Sequence, residues 1–246
     1  MPREHVEFVH RSELQWEDSD VEGIPEGTRQ KVLSEDPESG ASTLLLEVTD
    51  ERRDPTADPL TWDHGVELFV LDGEFWLDGK RLGEYDYAYI PPETPVTRFG
   101  ASTDATVLFM PDGELSTTDG GGDGQAQVTV TAEMEWEMVE VPGFPQGAMM
   151  KSLYMDEERG DSTWLLGVLP QWHETRIEVH PVVEEAYQVQ GSMETDRGTF
   201  TQGSYFWRPA DIPHGPFYSE HGCLIFFRTR DGALDVEYIA DTADYE

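Results

Sequence analysis

Short apolar runs alternate with turn residues along most of the chain. Runs rich in Val, Leu, Phe, Tyr and Trp are separated by turn sequences such as Asp72-Gly73, Asp78-Gly79 and Pro91-Pro92. No long segment shows the 3.6-residue period of an amphipathic helix. Many short strands at regular spacing are typical of sandwiches and barrels, so the pattern predicts an all-β fold of the double-sheet jelly-roll type.

Two parts of the chain repeat each other. Ser42–Val48 (STLLLEV) recurs as Ser162–Val168 (STWLLGV), 120 residues later. After a shortening of two residues, Glu67–Gly73 aligns with Glu185–Gly191 at an offset of 118. A repeat of this length predicts two consecutive copies of one β-rich unit.

A polar, glycine-rich run lies between the copies. Residues 116–127 (STTDGGGDGQAQ) offer almost nothing to bury, a composition typical of flexible linkers. We therefore predict an N-terminal domain over 1–115, a linker over 116–127 and a C-terminal domain over 128–246. Each domain is long enough to bury its own core.

Candidate metal ligands cluster in the second copy. Glu178 and His180 are two residues apart in an alternating run, so in a strand they point to the same face. Glu185 begins the next predicted strand, and His214 follows a proline-rich turn that could close over the same point. Two imidazoles and a carboxylate from separate strands predict a divalent-metal site with open positions.

The spacing of these residues resembles the two motifs of the cupin superfamily. The motifs are His180-x4-Glu185-x5-Gly191 and Gly203-x5-Pro209-x4-His214. The surrounding residues look most like the branch that contains the cupin domain of the ChrR anti-sigma factor and related small-molecule dioxygenases. The resemblance implies two tandem double-stranded β-helix (jelly-roll) barrels, a bicupin. In the family, the first motif usually begins with two histidines separated by one residue. His180 matches the second of them, and Glu178 occupies the position of the first.

Only the second copy retains the ligand set. The position of Glu185 is kept as Glu67, but the positions of Glu178, His180 and His214 hold the apolar residues Leu60, Trp62 and Val96. We therefore expect one divalent metal ion per chain. Two histidines and a carboxylate suit non-haem Fe(II), the favoured ion, and also accept Zn, Mn or Ni.

Glu178 and its neighbours have several possible roles. Glu178 can be a fourth metal ligand, a catalytic acid or base beside the metal, or the ion-pair partner of Arg176. We predict that Arg176, Tyr187, Tyr205 and Trp207 line the barrel and contact substrate. Core packing explains the three aromatic residues equally well.

The overall charge limits the partners. The chain has 51 Asp and Glu against 16 Lys and Arg, a formal net charge of −35. Such a field repels nucleic acids and anionic membranes. Because the acids are dispersed among strand residues, we interpret them as a solvated surface from a halophilic organism with a salt-loaded cytoplasm. The N-terminus lacks an apolar leader, which predicts a cytoplasmic protein, and a homodimer is possible.

The resemblance implies a metal-dependent enzyme that acts on a small oxygenated organic molecule, with dioxygenase chemistry as the first choice. The alternative is a non-catalytic sensor cupin that holds a metal or a small ligand.

Overall fold

A computed structural model describes residues 3–49, 51–52, 59–101, 103–118, 121–141 and 143–241. These residues form 23 β-strands and one 3-10 helix, Thr131–Glu133, and none of them lies in an α-helix. The predicted all-β fold is confirmed. Within the described ranges, no helix is long and apolar enough to cross a membrane. The chain divides into two units, Met1–Glu4 with Leu14–Glu133 and His5–Glu13 with Met134–Glu246.

The first unit consists of two antiparallel sheets around an apolar core. Its strands are β2 (Glu17–Asp18), β3 (Arg29–Glu35), β4 (Ser42–Val48), β5 (Glu51–Arg52), β6 (Val66–Asp72), β7 (Phe75–Leu77), β8 (Lys80–Leu82), β9 (Tyr87–Ile90), β10 (Phe99–Ala101), β11 (Ala105–Pro111) and β12 (Gln127–Thr129). The larger sheet has the order β12-β9-β6-β11-β4-β3-β2, and the smaller has the order β5-β10-β7-β8. Apolar residues from both sheets form one buried cluster, so the two sheets close a jelly roll.

The second unit repeats this arrangement. Its strands are β1 (Val6–His10), β13 (Glu137–Met138), β14 (Ala148–Met155), β15 (Ser162–Val168), β16 (Trp172–Glu174), β17 (Arg176–Val179), β18 (Val183–Thr195), β19 (Gly198–Thr201), β20 (Ser204–Arg208), β21 (Phe217–Ser219), β22 (Cys223–Arg230) and β23 (Glu237–Asp241). The main sheet has the order β1-β20-β18-β22-β15-β14-β13. Strands β19 and β21 pair with β18, β16 pairs with β21, and β17 pairs with β23.

The first strand of the chain belongs to the second unit. Strand β1 pairs with β20 at the sheet edge, whereas in the first unit the equivalent edge position holds β12, the last strand of that unit in sequence. The N-terminal segment therefore completes the second jelly roll. This exchange was not predicted, because the sequence pattern identifies strands without specifying which edge they join.

The division into units differs from the predicted one in two places. Residues His5–Glu13 join the second unit, and the boundary between the units falls after Glu133. The first residue of the predicted linker, Ser116, belongs to the first unit, and its carbonyl accepts a hydrogen bond from Asp63 N at 3.2 Å. Its last residue, Gln127, starts β12, and residues 119–120 lie outside the described part of the chain.

The net charge of −35 predicts salt-dependent stability. Raising the ionic strength from 0.1 M to 1 M shortens the screening length from about 10 Å to about 3 Å and weakens repulsion among surface carboxylates. We expect the Tm to rise by several degrees between 0.1 M and 1 M KCl, measured by calorimetry. NaCl should act equally, because screening depends on ionic strength. A Tm that is independent of KCl concentration would contradict this expectation.

Candidate metal centre in the second unit

The backbone brings two distant segments together at the site. Glu178 and His214 exchange both backbone hydrogen bonds, with Glu178 N to His214 O at 2.9 Å and His214 N to Glu178 O at 3.0 Å. The carbonyl of His180 accepts from Asp211 N at 2.8 Å. This short two-segment ladder fixes the ends of β17 and of the turn after β20, so the side chains that they carry project toward one point.

Both histidines are oriented by backbone carbonyls. Nδ1 of His180 lies 2.8 Å from Asp235 O, and Nδ1 of His214 lies 2.8 Å from Ile212 O. A carbonyl oxygen only accepts, so Nδ1 carries the proton in each ring and Nε2 of the neutral ring has a free lone pair. A backbone hydrogen bond of this type is the usual outer partner of a metal-binding histidine.

Two carboxylates lie near the Nε2 atoms of His180 and His214. Oε1 of Glu178 lies 3.7 Å from Nε2 of His180 and 3.5 Å from Nε2 of His214. Glu184 lies on the other side, with Oε1 3.9 Å from Nε2 of His180 and Oε2 3.6 Å from Nε2 of His214. Ligands at about 2.0–2.2 Å from an ion are roughly 3–3.5 Å apart. The donor atoms of Glu178, His180 and His214 lie within 4.8 Å of one another and could therefore close on a divalent ion, and Glu184 lies within 4 Å of both Nε2 atoms.

Glu185, the predicted carboxylate ligand, is not at the site. Its side chain points to the opposite face of β18, where it pairs with Arg228 and accepts a hydrogen bond from the hydroxyl of Tyr205 at 2.6 Å. Alternation along the strand is the reason, because neighbouring residues face opposite sides and Glu184 faces the histidines. The sequence-based assignment was wrong by one residue.

Comparison of the two copies shows which of Glu184 and Glu185 is structural. In the first unit, Glu67 accepts a hydrogen bond from Tyr87 at 2.6 Å, and both residues are 118 positions before the equivalent pair, Glu185 and Tyr205. A glutamate that persists in the copy that lacks both candidate histidine ligands has a structural role. The position equivalent to Glu184 holds the fully buried Val66.

In the first unit, apolar side chains occupy all four equivalent positions. These are Leu60, Trp62, Val66 and Val96, which all belong to its buried core. The backbone is preserved, since Leu60 and Val96 form the same isolated bridge as Glu178 and His214. Among the described residues, only Glu178, His180 and His214 form a group of three His, Cys, Asp or Glu ligands whose donor atoms lie within 4.8 Å of one another.

A largely apolar cavity of about 90 Å³ adjoins the candidate ligands. Its walls include Phe206, Trp164 and Phe227, the last two stacked with ring centroids 4.4 Å apart. Its lining also includes the polar residues Glu174, Glu178, His180, Glu184, Thr195, Arg208 and His214.

None of the four predicted substrate contacts lines this cavity. Tyr187, Tyr205 and Trp207 are buried on the other face of β18 and β20, the face of Glu185, and Phe206 and Arg208 take the cavity side. The choice of Glu185 instead of Glu184 assigned the wrong face of the strands to the cavity, which explains why Tyr187, Tyr205 and Trp207 were misplaced.

Arg176 also lies outside the cavity, and it is not the partner of Glu178. Its guanidinium pairs with Glu174, stacks over the ring of Tyr238 at 3.5 Å and donates to Gly143 O at 2.8 Å. Glu178 therefore remains available to a metal ion.

The charges of the site influence one another. Burial acts to raise the pKa of Glu178, but its interactions with His180 and then with His214 lower the pKa to about 2. Burial acts to lower the pKa of His180, but its interaction with Glu178 and the negative charges of Glu184 and Glu178 raise the pKa to about 9. In the metal-free protein, His180 is a cation at neutral pH.

Metal binding should therefore release a proton. The proton on His180 must leave before Nε2 can bind a metal ion, so metal affinity should rise about tenfold per pH unit below pH 9 and level off above it. The measurement is calorimetric titration with Mn²⁺ in buffers of different ionisation enthalpy, which also counts protons. An affinity that does not change between pH 6 and pH 8 would contradict the expectation.

No curated protein matches the sequence. Residues 124–237 match a family described as Domain of unknown function (DUF4437). Among solved structures, a proposed dioxygenase from Nostoc punctiforme superposes with a TM-score of 0.84 at 21% sequence identity, covering 98% of this chain and 88% of that chain.

Two further structures share the architecture at lower similarity. Oxalate decarboxylase from Lactobacillus farciminis, in complex with formate, superposes with a TM-score of 0.61 at 9% identity over 94% of this chain and 88% of that chain. A variant of salicylate 1,2-dioxygenase from Pseudoaminobacter salicylatoxidans gives a TM-score of 0.56 at 10% identity over 80% of this chain and 74% of that chain. The chain is thus a cupin-fold protein that aligns over its whole length with bicupins.

Proposed function

We propose that this protein is a metal-dependent enzyme that oxygenates a small, neutral organic molecule in its second barrel. One observation carries the proposal: the donor atoms of Glu178, His180 and His214 lie within 4.8 Å of one another in the lining of a largely apolar cavity, with Glu184 within 4 Å of both histidines. The similarity to a proposed dioxygenase and to salicylate 1,2-dioxygenase supports oxygenation as the class of reaction.

His180, His214, Glu178 and Glu184 would hold the ion. A divalent ion in such a set acts as a Lewis acid toward substrate oxygens and, when it is Fe(II), supplies a centre for reaction with O₂. Two carboxylates make the set hard, which favours Fe(II) or Mn²⁺ over copper. The hydrogen bonds of both Nδ1 atoms hold the rings in place before the ion arrives.

The charges around the cavity favour a neutral substrate. Glu178 and Glu184 together balance the charge of a divalent ion. Arg208 is the only Arg or Lys among the described residues that line the cavity, and it already pairs with Glu7 and Glu184. A carboxylate in the substrate would meet three lining glutamates, Glu174, Glu178 and Glu184, and, within the described part of the chain, no arginine or lysine beyond the paired Arg208. We therefore infer that the substrate differs from oxalate and salicylate, and that its polar group is a carbonyl or a hydroxyl.

The apolar walls would position the rest of the substrate. Trp164, Phe206 and Phe227 provide aromatic surface for a planar or branched hydrocarbon body. The cavity volume of about 90 Å³ is below the roughly 150 Å³ of an engineered apolar cavity that accommodates benzene. A substrate with an aromatic ring would thus require the walls to move.

Oxygen uptake by the Fe(II)-loaded protein tests the proposal. We expect uptake with small β-diketones and none with the matched carboxylates, such as pentane-2,4-dione against acetoacetate. His214→Ala is the control and should abolish uptake. Tight binding of a ketone without any oxygen consumption would instead indicate a ligand-binding sensor and would overturn the enzymatic proposal.

A further inference from the structure

We infer that the N-terminal strand is a working part of the metal centre, with Glu7 as a positioning residue for two of the ligands and Phe8 as a wall of the cavity. The inference rests on the proposed metal binding in the second unit. It assigns a site function to a segment that lies about 170 residues before the ligands in sequence.

Strand β1 departs from regular pairing where these two residues lie. It pairs with β20 through Val6 opposite Trp207 and Val9 opposite Tyr205, and the register shifts between those pairs. Within this bulge Phe8 has a φ of 55°, a left-handed conformation that is unfavourable for a bulky residue. Bulges of this kind redirect side chains, and strained residues of this kind cluster at functional sites.

Glu7 connects to two different ligands through two arginines. Its Oε1 accepts from Nη2 of Arg208 at 2.7 Å, and Nη1 of Arg208 donates to Oε2 of Glu184 at 3.3 Å. Its Oε2 accepts from Nη1 of Arg197 at 3.3 Å, and Nη2 of Arg197 donates to Pro213 O at 2.6 Å, in the peptide that precedes His214. One carboxylate therefore anchors both the carboxylate ligand and the histidine turn.

Competition for Arg208 explains why Glu7 matters. Arg208 is almost completely buried and lies directly opposite Glu184 on the neighbouring strand. Glu7 shares its guanidinium, so Glu184 keeps part of its negative charge for the ion. Without that carboxylate, Arg208 would pair with Glu184 alone and would draw it away from the histidines.

Phe8 extends the same strand into the cavity. Its ring stacks on Phe200 with centroids 5.1 Å apart and tilts against Phe206 at 6.4 Å, and all three residues line the cavity. The irregular backbone of β1 thus directs Glu7 toward Arg208 and Arg197, and directs the next residue, Phe8, into the cavity wall.

The test compares Mn²⁺ binding by the wild-type chain, Glu7→Gln and the matched control Glu4→Gln. Glu4 is exposed, so its substitution removes the same charge without touching the network. We expect Glu7→Gln to weaken Mn²⁺ binding 10- to 100-fold, the usual effect of removing an outer-shell partner, and Glu4→Gln to leave it unchanged. The visible spectrum of the Co²⁺-loaded protein should also shift in Glu7→Gln, a change that loss of packing alone would not produce.

A second variant keeps the test decisive if Glu7→Gln does not fold. The side chain of Arg197 is 31% exposed, so Arg197→Ala should fold while it breaks the link to Pro213, and we expect a several-fold weaker Mn²⁺ affinity. Wild-type affinity in whichever of these variants folds, even with a lowered Tm, would overturn the inference. A wild-type chain that binds no Mn²⁺ would refute the proposed metal centre itself, a separate result.

Discussion

Glu184→Gln should weaken divalent-metal binding by at least about a hundredfold. Removal of an outer-shell partner already costs 10- to 100-fold in affinity, and Glu184 approaches both histidines directly, at 3.9 Å and 3.6 Å. Glutamine keeps the size of the side chain and removes its charge. Calorimetric titration of the metal-free protein with Mn²⁺ measures the effect.

Glu185→Gln is the matched control, because it makes the same chemical change on the opposite face of the strand. We expect it to leave Mn²⁺ affinity unchanged and to lower the free energy of unfolding, since it removes the charge from one side of the buried Glu185–Arg228 ion pair. The reverse result, with metal lost in Glu185→Gln and kept in Glu184→Gln, would restore the assignment made from sequence.

Equivalent positions in the two units should respond in opposite ways to truncation. Trp62→Ala removes a fully buried ring that packs edge-on against Phe99 and Phe109, and it should cost about 3–5 kcal/mol of stability without loss of metal. His180→Ala, at the matching position 118 residues later, should abolish metal binding with a small effect on folding. Urea unfolding and metal titration of both variants make the comparison.

Trp76→Ala provides the control for residue size. Trp76 is only partly buried and stacks against Arg98, so its truncation should cost clearly less than that of Trp62. A Trp62→Ala protein with unchanged stability but reduced metal content would show that the first unit takes part in metal binding, contrary to this account.

The architecture could be read from the sequence because the repeat is explicit. Ser42–Val48 and Ser162–Val168 became β4 and β15, which occupy the same place in their sheets. The joining of β1 to β20 could not be read in this way. Strand patterns describe a local period, and edge pairing depends on which unpaired edge is available in the folded protein.

The site was predicted in part. His180 and His214, with Glu178, were correctly brought together, since Glu178 and His180 are two residues apart and His214 follows the turn that returns to them. The choice of Glu185 over Glu184 failed because a shift of one residue exchanges the two faces of a strand. The misplacement of Tyr187 and the other aromatic residues followed from that choice.

Arg208 and Glu7 were not predicted. Their role arises from contacts across 24 and 201 residues, and no local pattern signals such pairs. The persistence of Glu67 in the copy that lacks both candidate histidine ligands is visible in the sequence and identifies Glu185 as structural.

The central claim is that the second unit binds one divalent ion through His180, His214, Glu178 and Glu184, and that the first unit binds none. Elemental analysis of the purified chain after anaerobic loading with Fe(II), beside His214→Ala treated identically, tests it most directly. We expect one ion per chain in the wild type and none in the variant. Two ions per chain, no ion in the wild type, or an undiminished ion content in His214→Ala would contradict it.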